Sequence, residues 1–435
     1  VKTLGHTFRS LSVRNFRLFV LGQVLSVTCT WMMVVAQDWL VLDLSGDSGT
    51  ALGVVTAMQF TPVLLLTLYA GRLADRHDKR HILLLTNLAA GLLALALGLW
   101  VLVGDVRLGH IWLFALALGT VNSLEAPARI SFVGEMVGSE LLPNASAMSG
   151  VYFNLARVVG PAVAGIMIAR LGVAAVVLVN AVSYAATVVS LAMMRPPELH
   201  RPASRPRRAR VADGLRHIRG RPDLMLPMAL VGVLGLVGWN FQFTLPLLAK
   251  TEFHTDSAAF GLLSSALAAG SLLAALATTA RRGRPTALVV AVSALAFGAL
   301  EAVTGLAPDL PTACLLLALT GFAMMYFAQA ANHRVQLGSD PVYRGRVMAL
   351  YTLVFQGTTP LGALLGGWLA EHRGVRWVLY AGGLISLTAA AAALAAGARP
   401  TRPSARTRAP ATGPAAPRAL EGPSRPRPPN RERPR

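Results

Sequence analysis

The sequence predicts an all-α membrane protein of twelve transmembrane helices in two pseudo-symmetric six-helix bundles. Three observations predict it. The 435-residue chain is 54% hydrophobic and only 14% charged, too apolar for a soluble protein of this size. Its apolar runs recur, each near the ~20 residues a helix needs to cross a bilayer. A Pro/Arg-rich stretch at 195–222 parts these runs six and six.

The spans are expected at 17–42, 51–71, 82–103, 109–133, 145–170, 173–194, 224–249, 258–280, 286–306, 311–333, 346–370 and 375–397. Arg9, Arg14 and Arg17 precede the first, and no small-residue cleavage site follows it at signal-peptide distance, so it is expected to stay as a helix. The second and third flank Gly71-Arg72-Leu73-Ala74-Asp75-Arg76-His77-Asp78-Lys79-Arg80, read as a tight basic hairpin. The loop 134–144 joins the fourth and fifth. The connector 195–222 carries Pro196, Pro197, Pro202, Pro206 and nine arginines, so much of it reads as solvated linker. Its end, Val211 to Arg219, has the pattern of a short amphipathic helix on a membrane surface. The domains are therefore expected at 1–194, 195–222, 223–397 and 398–435, the last a disordered Arg/Pro-rich tail with ten arginines.

Loop charge sets the expected orientation. The N-terminus, 71–81, 195–222, Arg281-Arg282-Gly283-Arg284, Arg334/Arg344/Arg346 and the tail are basic; the alternate loops carry Asp43, Asp47, Asp105, Glu252, Asp256 and Asp309. Positive charge is retained in the cytoplasm, so both termini belong there, as an even number of spans requires. Glu135 and Glu140 on one side, and Arg373 and Arg376 on the other, run against this pattern. The halves also carry traces of a repeat. Asp47-Ser48 then Gly53 opens span two, as Asp256-Ser257 then Gly261 opens span eight. Pro161 and Gly165 in span five match Pro360, Gly362, Gly366 and Gly367 in span eleven.

Composition and motifs exclude several classes. The net charge of +20 is almost all arginine; Lys2, Lys79 and Lys250 are the only lysines, and none follows a glycine. No Gly-Lys-Ser/Thr phosphate loop exists, so the chain is not itself an ATP-driven pump. No nucleophile elbow, HExxH or dinucleotide motif supports an enzyme reading. Cys29 and Cys314 read as small helix residues, not a pair. His77 and His81 have i, i+4 spacing but stand among arginines, so no metal or cofactor is expected. The tail lacks aromatic interleaving, which argues against nucleic acid and for loose attraction to anionic lipid. Heavy use of Ala, Arg, Gly and Pro points to a GC-rich bacterial genome.

The stretch Gly71-x-Leu73-Ala74-Asp75-Arg76-x-x-x-Arg80 resembles the signature loop between helices two and three of the major facilitator superfamily. Asp78 stands where that pattern usually has glycine. The basic-flanked Asp-Arg variant, with Pro127-Ala128-Arg129 and Arg344-Gly345-Arg346-Val347, resembles its enterobactin-type and macrolide exporters. The resemblance covers nearly all of 8–397. It implies the major facilitator fold, with two bundles rocking about a central cavity as substrate leaves and protons enter. It places Gly71, Asp75, Arg76 and Arg80 with Arg344 and Arg346 in a cytoplasmic gate, Asp75 facing the start of span eleven. Span five, with Gly160, Pro161 and Gly165, resembles the Gly-Pro kink motif of the family's antiporters, although Ala156 and Ala164 replace two usual glycines.

Ionisable groups inside spans are expensive and face cavities or each other. Asp38, Glu125, Arg129 and Arg157 are the candidates for proton coupling. Glu125 and Arg129 lie four residues apart, on one helix face, and also fit a static ion pair. Asp38 also fits an interfacial position. Trp31, Gln59, Asn122, Trp239, Asn240, Gln242, Tyr326, Gln329 and Asn332 are the candidates for a cavity suited to a bulky amphipathic molecule. The chain thus reads as a secondary active transporter in a bacterial inner membrane, a proton-coupled exporter of drugs, siderophores or similar molecules, and a monomer. An uptake symporter, or a non-transporting sensor or scaffold using the tail, is the alternative.

Overall fold

The computed structural model describes residues 9–200, 211–279 and 283–397; the expected tail 398–435 and the 201–210 part of the Arg-rich connector lie outside them. The described residues are helical, and ten stretches are long and apolar enough to cross a membrane. In order they form α1 (Arg14–Ser45), α2 (Gly49–Arg76), α3 (Lys79–Val103), α4 (Leu108–Ala192), α5 (Val211–Arg219), α6 (Pro222–Val237), α7 (Phe241–Leu247), α8 (Ser257–Thr279), α9 (Ala287–Thr304), α10 (Leu310–Gly338), α11 (Arg344–Gly357), α12 (Thr359–Arg373) and α13 (Val375–Gly397). Most of their exposed large apolar side chains are leucine, valine and isoleucine, as suits a lipid-facing surface.

The 85-residue α4 departs from helical geometry at Gly138 (φ 73°, ψ 175°) and Gly172 (φ 80°, ψ 169°). Only glycine visits that region cheaply, so these two residues set where the chain reverses. The expected loop 134–144 is instead helical on both sides of Gly138. Its two acids have partners: Lys79 Nζ lies 2.6 Å from Glu135, with both side chains buried, and Arg9 lies 3.4 Å from Glu140. Their negative charge is locally answered, which is why they depart from the loop-charge pattern. Arg376, the opposite exception, pairs with Glu252 at 2.8 Å and donates to Gly305 O.

Two further expectations are corrected. The Gly71–Arg80 stretch is not a ten-residue hairpin: α2 continues through Arg76, with Ala74 buried, and only His77 and Asp78 form the turn. Asp78 caps α3 by accepting from Arg80 N at 2.9 Å. Spans seven and eleven are each interrupted. The first breaks at Gly238–Asn240, between α6 and α7, and continues into a π-helical turn at Leu248–Glu252. The second breaks at Thr358, where Pro360 cannot donate to the preceding turn and so starts α12 instead.

Packing is mostly local: α1, α2 and α3 lie on α4, while α9 lies against α10 and α13, and α8 against α10. The most extensive contacts between the N-terminal and C-terminal parts are α2 against α12 and the 139–171 stretch of α4 against α8. Both are glycine seams. A Cβ on Gly49 would lie 2.9 Å from Gly367 O, and one on Gly53 would overlap the Ala363 carbonyl. A Cβ on Gly165 would lie 2.5 Å from Ser257 O, and one on Gly261 would overlap the Pro161 carbonyl. The repeat visible in the sequence therefore meets itself crosswise, the Gly53 copy against Gly367 and the Gly261 copy against Gly165. Close backbone approach through small residues is how helices associate where lipid removes the hydrophobic drive.

Candidate functional site

The seams bring the two parts together at one end of the helices, the end of the Gly46–Ser48 turn. Here Ser48 caps α2, accepting from Ala51 N at 3.1 Å. Glu371, near the end of α12, accepts from Ser48 Oγ at 2.8 Å and from Thr50 N at 3.1 Å. A carboxylate from the C-terminal part thus sits on the positive end of the α2 dipole. Lys250 reaches from the π-turn to Asp43 and, at 2.8 Å, to Asp47. Trp39 stacks on Phe260 with ring centres 6.4 Å apart.

The end of the His77–Asp78 turn is different. Asp75, Arg76 and Arg344 are exposed, and a Cβ on Gly71 or Gly345 would meet open space. Among the described residues Asp75 makes no ion pair, with Arg344 or with Arg346, whose guanidinium lies over the Tyr343 ring. A cleft of about 190 Å³ separates Leu64 and Thr67 of α2 from Thr352 and Gln356 of α11. Arg80 is tied elsewhere, donating to Leu191 O at 2.8 Å and to Ala192 O at 3.0 Å. His77 bonds to Leu73 O and His81 faces Asp78, so the two imidazoles do not converge. The amphipathic helix α5 lies at this end, with His217 stacked on Tyr343 at 4.6 Å.

Between the ends lies a cavity of about 260 Å³, walled by α1, α2, α3 and α4 with Gln242 of α7. It gathers Trp31, Gln59, Asn122, Glu125, Arg129 and Gln242 from the sequence candidates. Arg129 Nε lies 2.9 Å from Glu125, and Arg129 also bonds the buried Tyr152. Arg157 lies over the Trp31 ring at 5.8 Å, while Phe153, one turn earlier, packs edge-on against that ring. Gly160 is pressed to the Trp31 Cβ, so this stretch of α4 holds the indole in place.

The other candidates lie apart from this cavity. Trp239 packs between Phe327 and Phe355, and Asn240 donates to Leu236 O at the α6 break. Tyr326 stacks on Phe322, Asn332 bonds Tyr351, and Gln329 is half-buried on α10. Asp38 is 1% exposed, and neither carboxylate oxygen has a hydrogen-bond partner.

Sequence reading missed Glu301. It is 2% exposed on α9, and its carboxyl lies against the backbone of Gly238 and Gly382, at the break after α6. Its signal was present: Glu301 is the sole acid in an otherwise apolar run. Tyr152 and Tyr184, the latter 3.4 Å from Thr30 Oγ1, carried no comparable signal, since a tyrosine in an apolar span more often marks an interface.

Comparison with known proteins agrees with this architecture. Residues 6–417 match the family described as transmembrane secretion effector. The multidrug efflux pump Tap of Mycobacterium tuberculosis is 24% identical over 379 residues, covering 82% of this chain and 87% of Tap. The enterobactin exporter EntS of Citrobacter koseri is 26% identical over 359 residues, covering 81% and 84%. The crystal structure of a bacterial homologue of the lysosomal transporter Spinster, inward-facing and unoccupied, superposes with a TM-score of 0.71 at 15% identity, covering 88% of this chain and 97% of that one. The chain belongs to the transmembrane secretion effector family of major facilitator transporters, and is a multi-pass membrane transporter rather than an enzyme.

Proposed function

We propose that the chain is a proton-coupled exporter of amphipathic small molecules, working by alternating access. The observation that carries this reading is the asymmetry of the two ends: glycine seams close one, while at the other Asp75 makes no ion pair among the described residues. In this reading α4 counts as three spans divided at Gly138 and Gly172, and α6–α7 and α11–α12 as one span each. The twelve spans then form two six-helix halves, 1–194 and 223–397, joined by the 195–222 connector.

The Ser48 end is the outer face and both termini are cytoplasmic, in a bacterial inner membrane. The structure is then the inward-facing state. Substrate enters the cavity from the cytoplasm, the Asp75 end closes on the start of α11, and the glycine seams part. Glu125, held by Arg129 on the cavity wall, exchanges a proton in each cycle; Asp38 and Glu301 are buried carboxyls without a basic partner and are secondary carriers. One chain suffices, because the cavity is walled by a single copy. The export direction rests on the relatives named as drug and enterobactin exporters.

Everted membrane vesicles test it. Respiration acidifies their interior, and a fluorescent amphipathic drug is expected to accumulate, with an uncoupler abolishing the effect. Glu125→Gln is expected to remove the pH-driven component while leaving drug binding measurable. Accumulation only in intact cells would instead identify an uptake symporter.

A further inference from the structure

The cavity has an uneven charge balance. Two ionisable side chains line it, Glu125 and Arg129, and a third, Arg157, stands beside it against the lining residue Trp31. Glu125 and Arg129 answer each other at 2.9 Å. Arg157 is half-buried, and among the described residues no carboxylate or hydrogen-bond acceptor holds its guanidinium. It rests over the face of Trp31 and follows Phe153 by one helical turn on the same side of α4. The helix facing this stretch, α8, contains no acidic residue at all. Of the two acids on α1, Asp38 lies two turns beyond Trp31 toward the Ser48 end, and Asp43 lies farther still and pairs with Lys250.

A guanidinium brought this far out of water normally has a carboxylate beside it, because desolvation without a partner is costly. Stacking on an indole supplies part of the compensation and leaves the in-plane N–H donors unused. Those donors form a planar fork that matches a carboxylate or another oxyanion in bidentate geometry. Trp31 and Phe153 beside it supply two aromatic surfaces, held in place by Gly160 and by their edge-on contact.

We propose that Arg157 and Trp31 form an anion subsite, so that the preferred substrate is an aromatic or apolar molecule carrying a carboxylate or similar oxyanion. The proposal rests on the cavity being the transport site. It assigns Arg157 to substrate recognition, not to the proton path.

A matched probe series tests it: 1-naphthoate, neutral 1-naphthamide and cationic 1-naphthylmethylammonium. Binding to the purified full chain in nanodiscs is read by tryptophan quenching and calorimetry. Wild type is expected to bind 1-naphthoate about tenfold or more tighter than the amide, the scale of a charge-assisted hydrogen bond. Arg157→Gln is expected to erase that preference while leaving 1-naphthamide affinity within about twofold, which also shows that the cavity is intact. Arg157→Lys is expected to keep part of it, since it keeps the charge but loses the fork. Preference for the cation, or unchanged 1-naphthoate affinity in Arg157→Gln, overturns the subsite. Inorganic phosphate and acetate as competitors separate a bare anion site from one needing the aromatic body; competition by either at the concentration of the naphthoate overturns the aromatic part. Arg157-dependent binding without transport in proteoliposomes would instead defeat the export reading and leave the subsite standing.

Discussion

The two ends of this helix assembly carry different chemistry. At the Ser48 end, backbone meets backbone: Gly49 and Gly53 lie on Ala363 and Gly367, and Gly261 lies on Pro161 and Gly165. At the His77 end the corresponding surfaces carry Asp75, Arg76 and Arg344, all exposed. Yet one element is common. Glu371, near the C-terminal end of α12, sits on the N-terminus of α2. In the proposed cycle Asp75, near the C-terminal end of α2, is the matching acid for the N-terminus of α11. The arrangement would then be reciprocal, with only the Glu371 contact made here. A dipole contact of about 0.3–1 kcal/mol would be weak enough to break in each turn of that cycle. The glycine seam supplies shape, and the acids bias the balance.

The largest effect is expected from the seam. Gly261→Leu places a branched side chain against the Pro161 carbonyl. Overpacking of this kind costs about 1–3 kcal/mol, enough to shift a two-state balance about tenfold to a hundredfold. Transport is expected to fall by at least tenfold, and a cysteine placed at Ala370, buried in the seam against Gly49, to become open to impermeant maleimide. Maleimide protection at that cysteine as strong as in the parent would remove the seam from the mechanism.

Asp75→Asn comes next and acts with the opposite sign. It weakens the state that is not seen here, so turnover is expected to drop about two- to fivefold with substrate affinity unchanged. Ala370 labelling is expected to decrease. Glu371→Gln keeps an acceptor for Ser48 and Thr50 but removes the charge from the α2 terminus. An increase in Ala370 labelling of about twofold is expected. Should both variants move labelling the same way, the two acids are not reciprocal.

Much of this arrangement was readable from residue order, and the remainder was not for identifiable reasons. The last span was expected at 375–397 and is Val375–Gly397, because Gly374 and a long apolar run mark it sharply. The repeat of Gly53 and Gly261 was visible as well. Which glycine meets which was not, since Ser48 and Glu371 are 323 residues apart and nothing local encodes the contact. The extra turns of α2 were hidden by Arg72 and Arg76, which read as loop charge although α2 runs on beneath them. The break at Gly238–Asn240 was masked by the continuous apolar pattern around it. In the cavity, Glu125 and Arg129 announced themselves by i, i+4 spacing; Trp239 and Asn240 were chosen by residue type alone and lie elsewhere.

The smallest effect is expected from the most conspicuous ion cluster. Lys250 bridges Asp43 and Asp47 and also lies over the Trp39 ring at 5.2 Å, joining the two parts at the closed end. The two acids remain about half exposed, so water and salt screen them. Exposed pairs of this kind are worth about 0–1 kcal/mol. Lys250→Met keeps most of the side chain's contact with Trp39 and removes the charge. Transport is expected to stay within about twofold of the parent, and Ala370 labelling to rise only slightly at low salt. At about 0.5 M salt parent and variant should converge, because the Debye length is then only a few ångströms. A Lys250→Met protein that opens as fully as Gly261→Leu would show that charge, rather than backbone contact, holds this end shut.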